Sequence, residues 1–210
     1  DWNPDQRPGD NLYTDSVVAL DADTGTLKWH YQFTPNDGYD YDSVQVPVLA
    51  DISWRGTPTK AMLWANRNGL YYVLDRTSGQ FIAGKPFTKV TWMSGFDERG
   101  RPMRVPGQVP TREGTLVFPG NQGGTNWYSP SFSPRTGLFY IPAWVDTSSY
   151  FVKGDDEYKE GNRYVGGMNR SSFAMNRGAQ NNTRKPEDGH GAVVAVDLND
   201  RSLLWAYQYK

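Results

Sequence analysis

The sequence has no cysteine and only two histidines, His30 and His190. Without cysteine the chain can form no disulfide, zinc–thiolate site, thiol nucleophile or CxxCH haem attachment. Two histidines exclude a three-histidine zinc site, and nothing in the spacing points to a Ser-His-Asp triad. No apolar run approaches the ~18 residues of a membrane-spanning helix. Neither charge sign prevails: 22 Lys and Arg stand against 23 Asp and Glu, a net charge of −1. That balance gives no electrostatic reason for nucleic acid or an anionic membrane as partner, and neither is expected. Helical periodicity is weak throughout. There is no initiator Met and no signal-peptide pattern. The chain opens in DWNPDQRPGDN and stops in the strand-like LLWAYQYK, so it reads as an internal piece of a longer protein.

What is present is a succession of short apolar and aromatic runs. SVVALD (16–21), VPVLADI (46–52), KAMLWAN (60–66), GLYYVLD (69–75), TLVFPG (115–120), GLFYIPAW (137–144), GAVVAVD (191–197) and SLLWAYQY (202–209) are each bounded by Gly, Pro, Asn, Asp or polar residues. Their β-branched and aromatic content predicts short strands joined by tight turns, an all-β chain. The polar, Gly- and Asn-rich stretch 150–190 predicts a long connection.

The chain also repeats. ALDADTGTLKW (19–29) and AVDLNDRSLLW (195–205) share the offsets of Ala, Asp and Trp, with Asp200-Arg201 in place of Thr-Gly; VLDRTSGQFIA (73–83) keeps the Asp and the turn Gly but lacks the Trp. Asp21 to Asp75 is a step of 54 residues, and Asp75 to Asp197 is 122, about two further steps. A period of this size with several strands per unit points to a β-propeller with one blade per repeat. In each unit a strand ends at Asp, the turn supplies a positive φ, and the next strand carries a Trp able to wedge between sheets. The competing reading is unrelated hairpins that share a common turn.

Three stretches carry candidate chemistry. NDGYDYDS (36–43) holds Asp37, Asp40 and Asp42. Its spacing and misplaced Gly38 exclude an EF-hand. In an extended segment Asp40 and Asp42 would share a face. Two carboxylates on one face repel unless a cation or a proton lies between them. The pair therefore fits either a hard-cation site or a solvated strand end. In ANRNGLYYVLDR (65–76), Arg67 sits between two asparagines ahead of a strand, placed for a propeller's central channel or for a surface turn. In GGTNWYSPSFSPRTGLFYIPAW (123–144), Asn126 offers donor and acceptor, and Trp127 a flat apolar face. They suit a planar ligand or the propeller core.

These motifs, with RPGDNLYTDSVVALDADTGTLKWHYQFTP and KVTW (89–92), occur in an order and spacing that resembles the pyrroloquinoline quinone (PQQ)-dependent alcohol dehydrogenases, the methanol and ethanol dehydrogenase family. The resemblance covers residues 1–210 and implies a partial PQQ-binding propeller domain, about three to four blades of an eight-bladed one. It implies that Asp40 is the catalytic base and lies beside the metal, and that Arg67 hydrogen-bonds the reactive quinone carbonyl. Asn126, with Trp127 beside it, falls at the cofactor's rim. The family's metal-binding Glu and Asn are expected outside these residues. Asn36 replaces the histidine common in the family's TPHD pattern, which puts a detail behind the metal in doubt. Asp42 resembles the lanthanide-dependent members, where a trivalent ion takes more oxygen ligands than Ca²⁺; Ca²⁺ is the alternative ion. The activity implied is oxidation of a primary alcohol to the aldehyde by hydride transfer to metal-bound PQQ. Electrons would go to a cytochrome c on a separate chain. The resemblance further implies a periplasmic protein, a homodimer when whole. The alternative is a non-catalytic propeller scaffold built from the same repeats.

Overall fold

A computed structural model of the chain describes residues 2–155, 157–171, 189–198 and 202–209. Apart from a 3-10 turn at Pro4–Gln6, its regular structure is strand, as the short apolar runs predict. β1 (Ser16–Leu20) and β2 (Leu27–Gln32) form an antiparallel ribbon. β3 (Val48–Trp54), β4 (Thr57–Ala65), β5 (Leu70–Asp75) and β6 (Phe81–Pro86) form a four-stranded antiparallel sheet in chain order. β7 (Met93–Phe96) and β8 (Pro102–Arg104) make a short hairpin. β9 (Thr115–Val117), β10 (Ser131–Ser133), β11 (Leu138–Val145), β12 (Ser149–Lys153), β13 (Gly167–Ser171), β14 (His190–Asp197) and β15 (Leu203–Gln208) follow. They sort into a second four-stranded sheet, β10-β11-β14-β15, and a small sheet, β13-β12-β9.

The stretch 150–190, expected as a connection, contains β12, β13 and the start of β14. Antiparallel pairing along Ser149–Lys153 and Gly167–Ser171 satisfies the backbone of this polar segment. Residues 172–188 and the Asp200-Arg201 turn lie outside the described residues.

The two four-stranded sheets are blades packed face to face. Side chains alternate along a strand, so β4 and β5 send successive residues into two cores. Ala61, Leu63, Ala65, Tyr71 and Val73 meet Phe139, Ile141, Ala143, Ala192, Val194 and Val196 of the second blade. Met62, Trp64, Leu70, Tyr72 and Leu74 meet Tyr31, Phe33, Tyr39, Tyr41 and Trp92 on the other side. That is why KAMLWAN and GLYYVLD are continuously apolar: both faces of the blade are buried. Each fully buried leucine there contributes roughly 1.5–3 kcal/mol.

The repeats are one structural unit. The register of the hairpin shifts between Ala19 and Leu20, between Val73 and Leu74, and between Ala195 and Val196, just before Asp21, Asp75 and Asp197. Asp21 Oδ1 accepts from Thr24 N (3.0 Å) and Thr24 Oγ1 (2.9 Å), and Asp75 Oδ1 from Thr77 N (2.7 Å) and Ser78 N (3.1 Å). Gly25 and Gly79 close these turns at φ +69° and +74°. By this motif β1–β2 corresponds to β5–β6 and β14–β15, the last two strands of a blade. The ring of Trp29 lies on the turn of the next unit: a Cβ on Gly79 would stand 2.5 Å from it. Trp205 is 44% exposed and its ring lies 6.0 Å from Tyr140 of its own sheet.

A comparison of two turn glycines isolates the Trp29 contact. Gly25→Ala meets open space and is expected to cost about 1–2 kcal/mol from the left-handed backbone alone. Gly79→Ala adds the collision with Trp29 and should cost roughly 1–3 kcal/mol more in urea unfolding. Equal costs would mean that the tryptophan does not bear on the turn.

Candidate functional site

The segment that follows β2 is not extended. Asn36, Asp40, Asp42 and Ser43 have φ of +50°, +64°, +55° and +37°, a conformation that Asn and Asp tolerate better than most residues. The shared-face expectation for Asp40 and Asp42, which assumed an extended strand, is therefore corrected. The cause is Asp37. Its buried carboxylate accepts from Tyr39 N (2.8 Å) and Tyr41 N (2.7 Å), which curls the chain around it. The two tyrosines are fully buried anchors, and Tyr41 Oη donates to the Pro119 carbonyl at 2.8 Å. Two guanidiniums hold the segment from behind: Arg7 donates to the Asp37 carbonyl, and Arg104 to the carbonyls of Pro35 and Asn36.

Arg67 projects from the turn between β4 and β5. Asn66 Oδ1 accepts from Asn68 N at 3.0 Å, and Asn68 Oδ1 from Leu70 N at 3.1 Å, so the flanking asparagines build the turn with their own side chains. Gly69 completes it at φ +89°. Trp92, of the KVTW motif, lies buried beneath and donates Nε1–H to the Asn68 carbonyl at 2.8 Å. The loop carrying Asn121 and Asn126 presses onto Arg67 from outside. Gly124 N donates to the Arg67 carbonyl at 2.9 Å, and a Cβ on Gly123 would stand 2.7 Å from Arg67. The paired glycines permit that approach.

Asp40, Asp42 and Arg67 meet through a chain of contacts closed by Asn121. Arg67 Nη1 lies 3.3 Å from Asp42 Oδ2, and Arg67 Nη2 donates to the Asn121 carbonyl at 2.6 Å. Asn121 Nδ2 donates to Asp40 Oδ2 at 3.0 Å. The Arg67 side chain is 10% exposed, so it is no surface-turn arginine, whereas the Asp42 side chain is 55% exposed. Burial raises the Asp40 carboxyl above the usual range; the Asn121 hydrogen bond opposes the rise, Asp42 adds to it and Arg67 opposes it.

Asn126 and Trp127 do not join this group. Asn126 spends its side chain on its own loop, donating to the Gln122 carbonyl at 3.1 Å and accepting from Trp127 N at 2.9 Å. Trp127 is 68% exposed and packs on Tyr128, so it is not part of the core.

Two participants escape the sequence reading. Asn121 is one, and its only sequence signal is an amide beside the paired glycines. Asp15 is the other: it is buried, and the hydroxyls of Ser43 and Thr34 both bear on its carboxyl. Ser43 Oγ in turn accepts from Asn66 Nδ2 at 2.7 Å. Burial pushes the Asp15 carboxyl well up, and Asp37 pushes it further.

Among the described residues, no three histidine or carboxylate side chains converge as a complete metal site. The pair Asp40 and Asp42 supplies hard oxygen donors, as a Ca²⁺ or lanthanide ion requires. Arg67 adds a guanidinium whose Nη1 faces Asp42 and whose Nη2 is taken by the Asn121 carbonyl, while its Nε–H is enclosed without a partner. The residues present fit a metal ion and a quinone, each in part. No helix among the described residues is long and apolar enough to cross a membrane.

The family model of the PQQ-dependent glucose/ethanol/alcohol dehydrogenase β-propeller domain matches residues 1–94. A quinohemoprotein alcohol dehydrogenase from Comamonas testosteroni is 40% identical over 207 residues, covering 97% of this chain and 28% of the relative. A 1-butanol dehydrogenase (cytochrome c) from Thauera butanivorans is 40% identical over 202 residues, covering 96% of this chain and 29% of the relative. Among solved structures, a europium-containing methanol dehydrogenase superposes with a TM-score of 0.82 at 31% identity, covering 99% of this chain and 35% of that one. The chain thus spans less than a third of the length of these curated relatives.

The raised Asp15 carboxyl gives a pH test. A group whose pKa is raised on folding favours the folded state below its unfolded pKa of about 4 and loses that contribution as pH rises through the folded value. Asp15→Asn should therefore gain thermal stability relative to the parent as pH rises from about 4 to 8. A difference in melting temperature that stays flat with pH would show that Asp15 does not ionise at a cost.

Proposed function

The chain belongs to the PQQ-dependent alcohol dehydrogenase β-propeller family, and from that premise we propose that the whole protein oxidises a primary alcohol to its aldehyde with PQQ and a lanthanide ion, passing electrons to a cytochrome c in the periplasm. The observation that carries this reading is the contact chain Asp42–Arg67–Asn121–Asp40, which gathers two carboxylates and one buried guanidinium from distant parts of the sequence.

PQQ, when bound, supplies the two-electron acceptor, and the metal supplies the Lewis acid. The chain's own residues do the rest. Asp40 takes the hydroxyl proton of the alcohol on its carboxylate. Arg67 presents its guanidinium to the cofactor's carbonyl. Asp40 and Asp42 together hold the cation, and the second carboxylate favours a trivalent ion over Ca²⁺. Asn126 and Trp127, on the loop that covers Arg67, lie at the cofactor's rim. The solved relative with europium supports the choice of ion, and the butanol relative's cytochrome c supports the acceptor.

The test is reconstitution of the full protein with PQQ and either La³⁺ or Ca²⁺ in a dye-linked assay with primary alcohols. Turnover with La³⁺ is expected. Turnover with Ca²⁺ alone would remove the lanthanide part, and turnover with neither would leave a propeller scaffold. Asp40→Asn should lower kcat by about 10²–10⁴-fold. Asp42→Ala should lose lanthanide-supported turnover, and unchanged turnover would make Asp42 a bystander.

A further inference from the structure

Asn121 has no role in the sequence reading, yet its bonds tie the site together. Its backbone N–H donates to Ser149 Oγ at 3.0 Å, at the start of β12. Its carbonyl accepts from Arg67 Nη2 at 2.6 Å. Its side-chain Nδ2 donates both to Asp40 Oδ2 at 3.0 Å and to the Tyr39 carbonyl at 3.2 Å. The residue is pressed into place as well: a Cβ on Gly120, just before it, would stand 2.7 Å from the backbone of Ser148. One residue thus touches β12, the Arg67 guanidinium, the backbone ahead of Asp40 and the Asp40 carboxylate.

The chemistry calls for an amide. Two acceptors, a carbonyl and a carboxylate oxygen, must be met by two hydrogens on one atom, and the Asn NH₂ group carries two. A hydroxyl has one hydrogen. An aspartate would set lone pairs against Asp40 Oδ2. Glutamine would displace the amide by a methylene from a backbone already fixed on both sides. Among the described residues, Asp40 Oδ2 is held by Asn121 while no hydrogen bond reaches Asp40 Oδ1. The Asp40 backbone is itself in the left-handed region, at φ +64°.

We propose that Asn121 is a positioning residue: its amide holds Asp40 Oδ2, leaving Oδ1 as the oxygen that meets a cation or the proton of an alcohol, and its carbonyl sets the Arg67 guanidinium that reaches Asp42. The consequence for turnover rests on the reading of Asp40 as the base; the consequence for the orientation of Asp40 does not.

The experiment uses Asn121→Ala and Asn121→Asp in the full protein. Both variants keep the main-chain bonds to Ser149 and Arg67; Asn121→Ala removes the amide donor, and Asn121→Asp replaces it with a carboxylate oxygen facing Asp40. Crystal structures of the variants should show the Asp40 carboxylate turned from its parent orientation or divided between two, with Arg67 still on the carbonyl of residue 121. An unchanged Asp40 carboxylate in both variants overturns the proposal. With PQQ and La³⁺ at saturation, kcat should fall about 10- to 100-fold, as when the partner that orients a metal ligand is removed, while the alcohol KM changes far less. A lower melting temperature with kcat unchanged would assign Asn121 to loop stability alone and also overturns it. Absence of turnover in the parent protein would sink the proposed function, and the crystallographic comparison would still decide the role of Asn121.

Discussion

The site depends on one buried carboxylate that takes no part in its chemistry. Asp37 accepts from the amides of Tyr39 and Tyr41 and turns what would be a strand into a tight loop in which Asp40, Asp42 and Ser43 take the left-handed backbone. Removing that acceptor would leave two buried N–H groups without partners, a cost of about 1–3 kcal/mol each. The loop does two things together. It drives Tyr39 and Tyr41 into the core, and it sets Asp40 and Asp42 on the outer side of the turn, one half-buried and the other exposed. The alternation of acid and aromatic in NDGYDYDS thus has a mechanical meaning: the aromatics anchor and the intervening acids are presented.

The electrostatics of the cluster are unbalanced by design of the fold. Asp15, Asp37 and Asp40 all have carboxyls raised by burial, and Asp42 adds repulsion to each. Arg67 is the cation that opposes the rise at both Asp15 and Asp40, and it lies on Asp42. Such a cluster favours protons or a bound cation. The two demands pull against each other at Asp40. A cation lowers the carboxyl's pKa and so weakens it as a base, while burial and its acidic neighbours raise it again. If Asp40 serves as the proposed base beside a metal, desolvation and its acidic neighbours would offset part of the cation's field.

Much of the fold was legible because its signals are local. A strand that ends in Asp and is followed by Gly four residues later needs a particular turn, and Asp21 and Asp75 build it with the same bonds from the amides two and three residues on. The apolar runs marked the strands, and only the structure shows that one blade is buried on both faces. The asparagines flanking Arg67 fold back on their own backbone and mark its turn, but they leave the direction of its guanidinium open. The site's geometry was less legible because it is made by partners distant in sequence. Asn121 lies 81 residues from the Asp40 it holds, and Ser43 lies 28 from Asp15. No period or spacing marks such pairs. The extended reading of Asp40 and Asp42 failed for a local reason that was visible but underweighted: Asn and Asp so close together are the residues that accept a left-handed backbone.

The rigidity of the site follows from where its three pieces are rooted. Arg67 stands on a turn between two strands whose side chains fill cores on both faces of the blade, so its Cα has little freedom to move. The Asp40 segment is rooted in the second of those cores through Tyr39 and Tyr41. The Asn121 loop is rooted in both, through the Tyr41 hydroxyl on Pro119 and through Gly124 against Phe87. Each piece is therefore fixed by packing before any side chain reaches across. The polar contacts have only to select an orientation among parts that are already in place. The partly buried polar contacts that join them need supply only that selection.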